Sequence, residues 1–208
     1  MLRGLGWAGG HAGAIRLGHA LEPYQPLWFE EPVPPDNVPQ MAKLSSACAI
    51  PVATGERLTT KAEFAPVLRA GAASILQPAL GRSGGIWETK KLAAMAEFYS
   101  AHMPPHLYAG PVEWAANIHF GASIPNLLMV ETIQTGGAFH MALIKHTISW
   151  ENGYMVAPTA PGFGIDSDED LARAHPYTGS GLHLEMQEDP CNYSTENRFK
   201  GGAPMRKT

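Results

Sequence analysis

The chain has 208 residues, which suits one sizeable hydrophobic core and is too short for two ordinary domains. Hydrophobic residues make up 45% of it and charged residues 16%, which excludes disorder along the whole chain. The formal net charge is -4 and no long basic run occurs, so nucleic acid is not an expected partner.

Helix and strand signals alternate from the amino terminus. The spacing of apolar residues predicts a helix over 11–24, and the run at 26–29 predicts a buried strand. A second helix is predicted near 38–47, and a second short strand at 50–53. Each predicted strand ends at a turn that carries glutamate, which is the first hint of a shared polar edge.

The next two units repeat this pattern. The sequence from Thr60 to Glu63 is a capping box, so a helix is predicted from there to about Ala70, with Gly71 as its left-handed cap. A third strand is predicted at 74–77. The glycine-rich loop after it leads into an amphipathic helix at 86–99.

Two further units complete the regular part of the chain. A fourth strand is predicted at 101–104, a helix at 111–122 and a fifth strand at 126–130. The repeat of strand, loop and helix every 23 to 27 residues predicts an α/β fold with a parallel sheet and right-handed crossovers. From about residue 139 the pattern becomes irregular, and disorder is expected in the last fifteen or so residues.

Polar residues follow each predicted strand at the same position. The carboxyl ends of parallel strands face one crevice, where distant residues converge. Crowded carboxylates repel each other unless a cation lies between them, and Mg²⁺ prefers such oxygen ligands. Glu30 and Glu56 are therefore the candidate metal ligands, and the strand-end residues are Glu30, Glu56, Gln77, His106 and Glu131.

Each of these residues also has an ordinary interpretation. A glutamate in a proline turn is most often a solvated loop residue, and a single histidine beside prolines is more often packed than catalytic. The common register after successive strands favours the site, because an unrelated glutamate has no reason to follow three strands in turn.

Six segments together resemble one known family. They are similar to the mandelate racemase and muconate-lactonizing branch of the enolase superfamily, and most similar there to sugar-acid dehydratases of the galactonate dehydratase type. The segments are WFEEP (28–32), TGER (54–57), GRSGGIWETKKLAAMAE (81–97), PPH (104–106), LLMVET (127–132) and APTAPGFGIDSDED (157–170).

The resemblance implies a (β/α)-barrel, bound Mg²⁺, and removal of the proton next to a substrate carboxylate. Glu30 and Glu56 would be the metal ligands on strands four and five. His106 on strand seven would be the general base or acid, and Glu131 on strand eight would hydrogen-bond the substrate carboxylate or the enediolate oxygen.

Three more residues receive expected roles from the same resemblance. Glu31 would support the metal ligands from behind, Arg57 would contact a ligand or a carboxylate, and Gln77 would bind substrate or hold a neighbouring ligand. The implied substrate is a small sugar acid such as an aldonate. No membrane partner is expected, and homo-oligomers are expected for the full-length family.

The chain also departs from the family pattern. By this resemblance, the capping domain and first barrel strands are expected to be absent, and residues 3–10 contain no acid where the family has an aspartate ligand. Ala79 stands where an aspartate normally orients the catalytic histidine, so His106 is expected to lose that acceptor. A truncated, impaired enzyme with weak Mg²⁺ binding is therefore expected.

The expected organisation follows from these departures. Residues 1–138 would form a partial TIM-type barrel of about strands four to eight. Residues 139–190 would return towards the capping domain, and 191–208 would be a disordered tail. A catalytically inactive fragment or interaction subunit stays open as an alternative, as does a racemase or cycloisomerase of the same superfamily.

Cysteine usage and the amino terminus bear on location. Cys48 and Cys191 lie far apart and fit neither a metal-ligand spacing nor a disulfide framework, so a reducing cytoplasm is expected. The first residues carry one arginine and no continuous apolar run, which predicts neither a signal peptide nor a membrane span.

Overall fold

A parallel sheet with helices between its strands forms the centre of the protein. The computed structural model describes residues 10–132, 142–145 and 148–176. The three strands of the parallel sheet lie in chain order, each parallel to the next: β1 (Phe29–Glu30), β2 (Val52–Thr54) and β3 (Ile75–Leu76). Two helices precede β1, namely α1 (Gly10–Leu21) and a 3-10 helix (Glu22–Tyr24). Between the strands lie α2 (Val38–Ala47) and α3 (Lys61–Arg69), and β3 is followed by α4 (Gly85–Phe98) and α5 (Pro111–Ala122).

The parallel arrangement continues beyond β3 as isolated bridges. Ile75 pairs with His102, Ala79 with His106, and Met103 with Leu127, all in parallel. The strands predicted at 101–104 and 126–130 are therefore single ladder contacts rather than regular strands. Their order along the sheet is nevertheless the predicted one, so five parallel segments lie side by side.

The two faces of this sheet contact different layers. Phe29, Val52 and Leu76 belong to the large core that also contains the buried faces of the helices. A separate cluster on the other face consists of the neighbouring residues Trp28, Ala53 and Ile75, and Leu128 packs against it. Successive residues of a strand point to opposite faces, and strands buried on both faces are typical of α/β folds.

Local sequence signals explain where the helices begin and end. Asn37 caps α2 by accepting a hydrogen bond from the Gln40 backbone N–H, and α2 spans the predicted residues. The capping box of Thr60 and Glu63 is present at the start of α3, and Gly71 after its end has a φ of 60°. Both signals act within one helical turn, which is why they are readable from sequence.

The carboxy-terminal region contains elements that the sequence did not predict. An antiparallel hairpin joins β4 (Trp150–Glu151) to β5 (Tyr154–Met155), and α6 spans Glu169–Ala174. Strands of two residues carry too little periodicity to be recognised.

The chain divides after Ala172 into a first unit, Met1–Ala172, and a second, Arg173–Thr208, of which the structure describes only residues 173–176. The boundaries expected at 138 and 190 stay predictions, and the expected tail lies outside the described residues. No helix in the described ranges is long and apolar enough to cross a bilayer.

The Glu63 carboxylate at the start of α3 makes stability depend on pH. Its Oε2 accepts hydrogen bonds from the backbone N–H and hydroxyl groups of Thr59 and Thr60. These bonds, the one from the Thr59 backbone N–H foremost, lower the pKa of Glu63 from 4.5 to about 2. Because the pKa of Glu63 is lower in the folded protein than in the unfolded chain, the carboxylate stabilises the fold at pH values above about 4.5. That stabilisation disappears as the pH falls from about 4.5 to about 2.

We therefore expect Glu63→Gln to lower the urea midpoint at neutral pH, and the difference from the parent protein to shrink at about pH 3. Glu97→Gln is the matched control, because it removes the same charge from an exposed position on α4. A difference that stays constant from neutral pH to pH 3 would contradict the role of the carboxylate.

Candidate active site

Glu30 ends β1 and is held by two side-chain donors. It lies opposite Ala53 of β2 in the parallel register, and it is 2% exposed. Its Oε2 accepts hydrogen bonds from Trp28 Nε1 at 3.2 Å and from Gln77 Nε2 at 2.9 Å. Trp28 reaches it because residues two apart on a strand share a face. The Glu30 carboxylate is therefore oriented before any ligand binds.

Glu31 adopts an unusual backbone conformation directly after this ligand. Its φ is 39°, in the left-handed region that non-glycine residues seldom occupy, and it is as buried as Glu30. The Thr54 hydroxyl donates to its Oε1 at 3.4 Å. Strain of this kind is of order 1–3 kcal/mol and is typical of functional sites. The supporting role expected for Glu31 stays a prediction.

Gly55 brings the second strand end close to the third. Its φ is 140°, and a Cβ atom there would lie 2.8 Å from the Gln77 backbone nitrogen and 2.9 Å from Phe64 Cε1. Only glycine fits this conformation and this approach. Glu56 follows at once with 8% exposure, and its carbonyl oxygen accepts from Arg82 Nη1 at 3.2 Å. The backbone at Gly55 therefore sets the position from which Glu56 projects.

His106 lies between two of the strand-end carboxylates. Its Nδ1 is 2.7 Å from Glu131 Oε2 and 3.5 Å from Glu56 Oε2, and its side chain is 12% exposed. Glu131 Oε2 also accepts from the Leu107 backbone N–H at 2.7 Å. The Asn117 side chain donates to the His106 carbonyl at 3.4 Å. The imidazole is thus oriented through Nδ1, with Nε2 on the opposite edge of the ring.

One expectation is overturned at this point. Ala79 pairs with His106 in a parallel bridge, and its methyl side chain cannot accept a hydrogen bond. His106 nevertheless has an acceptor for Nδ1, because Glu131 reaches it from the segment on the other side. The prediction that His106 lacks an orienting carboxylate is therefore wrong, since the carboxylate comes from a different strand end.

Comparisons with known proteins identify the family of the chain. A sequence model of the enolase C-terminal domain-like family matches residues 6–171. The chain belongs to this family.

Relatives in the family share sequence along most of this chain. It is 39% identical over 161 residues to a D-galactonate dehydratase from Ralstonia nicotianae, covering 74% of this chain and 42% of that protein. A mandelate racemase/muconate lactonizing enzyme-like protein from Roseovarius sp. TM1035 is 71% identical with a TM-score of 0.80, covering 89% of this chain and 46% of that one. A mandelate racemase/muconate lactonizing enzyme from Jannaschia sp. CCS1 is 57% identical with a TM-score of 0.78, covering 85% and 45%. The chain therefore spans less than half the length of these relatives.

The fold is accordingly the α/β barrel-like fold of enolase C-terminal domains. Within it, the structure brings Gln77 to Glu30, and His106 to Glu56 and Glu131. Arg57 is exposed, so its predicted contact with a ligand stays a prediction.

Sequence reasoning missed three residues that hold the site. Trp28 donates to Glu30, Arg82 to the Glu56 backbone, and Asn117 to the His106 backbone. The position of Trp28 two residues before a ligand on the same strand was a usable signal. No such signal marked Arg82 or Asn117, because the backbone groups that they contact belong to other segments of the chain.

The donor set suits a hard cation. Glu30 and Glu56 supply carboxylate oxygens at the ends of neighbouring parallel strands. Gln77 Oε1 is buried and has no hydrogen-bond partner among the described residues, next to the amide nitrogen that holds Glu30. Buried acceptors are normally paired, and Mg²⁺ with its ordered waters prefers oxygen atoms of this kind. The residues present therefore fit Mg²⁺.

Gly55 offers a direct test of how the site is built. Gly55→Ala should lower the free energy of unfolding by about 2–4 kcal/mol, because it combines backbone strain with a clash against Gln77 and Phe64. Gly71→Ala is the matched control: its φ is also positive, but no atom lies within 4 Å of the added Cβ. We expect a loss of about 1–2 kcal/mol there. Equal losses in denaturant titrations would show that the close approach at Gly55 is unimportant.

Proposed function

We propose that the chain carries the metal-binding and proton-abstracting residues of a sugar-acid dehydratase of the galactonate dehydratase type. The observation that supports it best is the position of His106 between Glu56 and Glu131 at the strand ends, on the same edge as Glu30. The identity to D-galactonate dehydratases adds the substrate class. A racemase or cycloisomerase of the family has no comparable support from a described residue.

The proposal assigns the five parallel segments to strands four to eight of the barrel. This assignment is supported by the unbroken parallel order that runs from β1 through β3 to the bridges at His102 and Leu127. In this assignment all the proposed residues lie at the carboxyl ends of strands, where barrel enzymes hold their catalytic groups.

Glu30 and Glu56 are the residues proposed to hold Mg²⁺. When bound, the ion would supply Lewis-acid stabilisation of the negative charge that develops on the substrate carboxylate. Trp28 and Gln77 keep the Glu30 carboxylate oriented, and Arg82 holds the backbone of Glu56. Mutations of partners that orient a metal ligand typically weaken metal binding by about 10–100-fold.

His106 is proposed as the general base. Its Nε2 would take the proton from the carbon next to the substrate carboxylate, and the electron pair of that C–H bond would pass into the enediolate. The hydroxyl on the next carbon then leaves with a proton as water, and the resulting enol becomes a 2-keto-3-deoxy acid. Glu131 would stabilise the imidazolium through Nδ1, so its proposed role is orientation rather than substrate binding.

The remaining expectations belong to the same proposal. Glu31 would support the strand ends, and Arg57 would attract an anionic substrate. The ligand is a small sugar acid rather than a nucleic acid or a membrane, and the proposed location is the cytoplasm. Homo-oligomerisation is proposed by analogy with full-length relatives.

Metal binding can be measured without catalysis. A ligand that binds only the folded state stabilises it by about 1.4 kcal/mol at ten times its dissociation constant, which raises the melting temperature by about 4 °C. We expect such a rise with millimolar Mg²⁺ and its loss in Glu56→Gln. Glu97→Gln, on the exposed face of α4, should keep it. No rise in the unmodified chain would contradict the magnesium site.

Proton abstraction has its own readout. Incubation with D-galactonate in deuterated water should place deuterium at C2 even without net dehydration, because exchange requires only removal and return of that proton. His106→Asn should slow this exchange about 10²- to 10⁴-fold. His102→Asn is the control, since His102 is an exposed histidine four residues earlier in the same segment. A chain that binds Mg²⁺ but shows no exchange would favour the alternative of a non-catalytic barrel protein.

A further inference from the structure

Three side chains with metal-ligand atoms meet at the ends of α1 and α2. His19 lies in the last turn of α1, and Glu22 follows three residues later, which places both on one side of the helix end. His19 Nδ1 and Glu22 Oε1 are 3.3 Å apart. Cys48 is the first residue after α2, and single ligand atoms of all three residues lie within 4.8 Å of one another. No other such trio occurs among the residues that the structure describes.

The surrounding backbone holds this cluster in place. A Cβ atom on Gly18 would lie 2.6 Å from Cys48 Sγ, so the missing side chain lets the sulfur approach α1. Glu22 Oε1 accepts a 2.8 Å hydrogen bond from the Ala49 backbone N–H, which anchors the carboxylate beside the cysteine. Cys48 itself is buried, and its thiol donates a long hydrogen bond of 3.8 Å to the Ile15 carbonyl.

The donor set differs from that of the strand ends. Sulfur and imidazole nitrogen favour a borderline cation such as Zn²⁺, which binds Cys, His and Glu ligands in tetrahedral geometry. With bond lengths of about 2.0–2.3 Å, the ligand atoms of such a site lie about 3.3–3.8 Å apart. A cluster that spans at most 4.8 Å therefore needs a contraction of only about 1 Å. The His19 side chain is half exposed, so a water molecule can complete the shell.

We infer that His19, Glu22 and Cys48 form a Zn²⁺-binding site that ties the end of α1 to the end of α2. The site shares no residue with the proposed dehydratase centre. Either one can therefore fail without the other.

Cobalt binding reports the sulfur ligand directly. The full chain, free of any affinity tag, is stripped of metal, reduced and titrated with Co²⁺. We expect a thiolate-to-cobalt charge-transfer band in the near ultraviolet that saturates at one equivalent and is abolished by Zn²⁺. Cys48→Ser should remove the band, and Cys191→Ser, which changes the other cysteine, should keep it.

The partly exposed histidine provides a variant that keeps the fold. His19→Ala should weaken Zn²⁺ binding, measured by competition with a chromophoric chelator, by more than about tenfold, because losing a ligand costs more than losing a residue that orients one. His11→Ala, near the other end of α1, is its control. No band in the unmodified chain, or an unchanged band in Cys48→Ser, would overturn the site, as would unchanged Zn²⁺ affinity in His19→Ala. Circular dichroism of each variant verifies its folding.

Discussion

The backbone ladder between β1 and β2 is the interaction on which the candidate site depends. Phe29 donates to the Pro51 carbonyl at 2.8 Å and Glu31 to the Ala53 carbonyl at 2.9 Å, which fixes the parallel register on both sides of Glu30. A shift of this register by one residue would turn the Glu30 side chain to the opposite face of the sheet, because side chains alternate along a strand. The same register places the turn at Gly55 beside this edge, so Glu56 emerges next to the first strand end.

The site must also keep several carboxylates close together. Glu30, Glu31 and Glu56 are nearly buried, and like charges in a poorly solvated crevice repel strongly. The structure offsets this with donors: Trp28 and Gln77 hold Glu30. His106 lies between Glu56 and the less buried Glu131. A divalent cation suits such a surplus of oxygen ligands, which is the physical link between the fold and the proposed chemistry.

The two proposed metal sites differ in the ligand atoms that they offer, and ligand type is a main determinant of metal selectivity. The strand ends offer carboxylate and amide oxygens on the polar edge of the sheet, which suit Mg²⁺. The cluster of His19, Glu22 and Cys48 offers nitrogen, oxygen and sulfur at the ends of two helices, which suits Zn²⁺. The first would serve catalysis, whereas the second would stabilise the contact between helices that flank β1.

The amino-acid sequence determined the elements whose signals are local. The helices at 38–47 and 111–122 match their predicted bounds, and the capping box of α3 is formed, because helical periodicity and caps act within a few residues. The common position of polar residues after each strand likewise located the candidate site. Only the tertiary structure decided which groups touch: Glu131 rather than position 79 orients His106, and Cys48 meets residues from α1. Such contacts join residues 25 or more positions apart, and no short-range pattern records them.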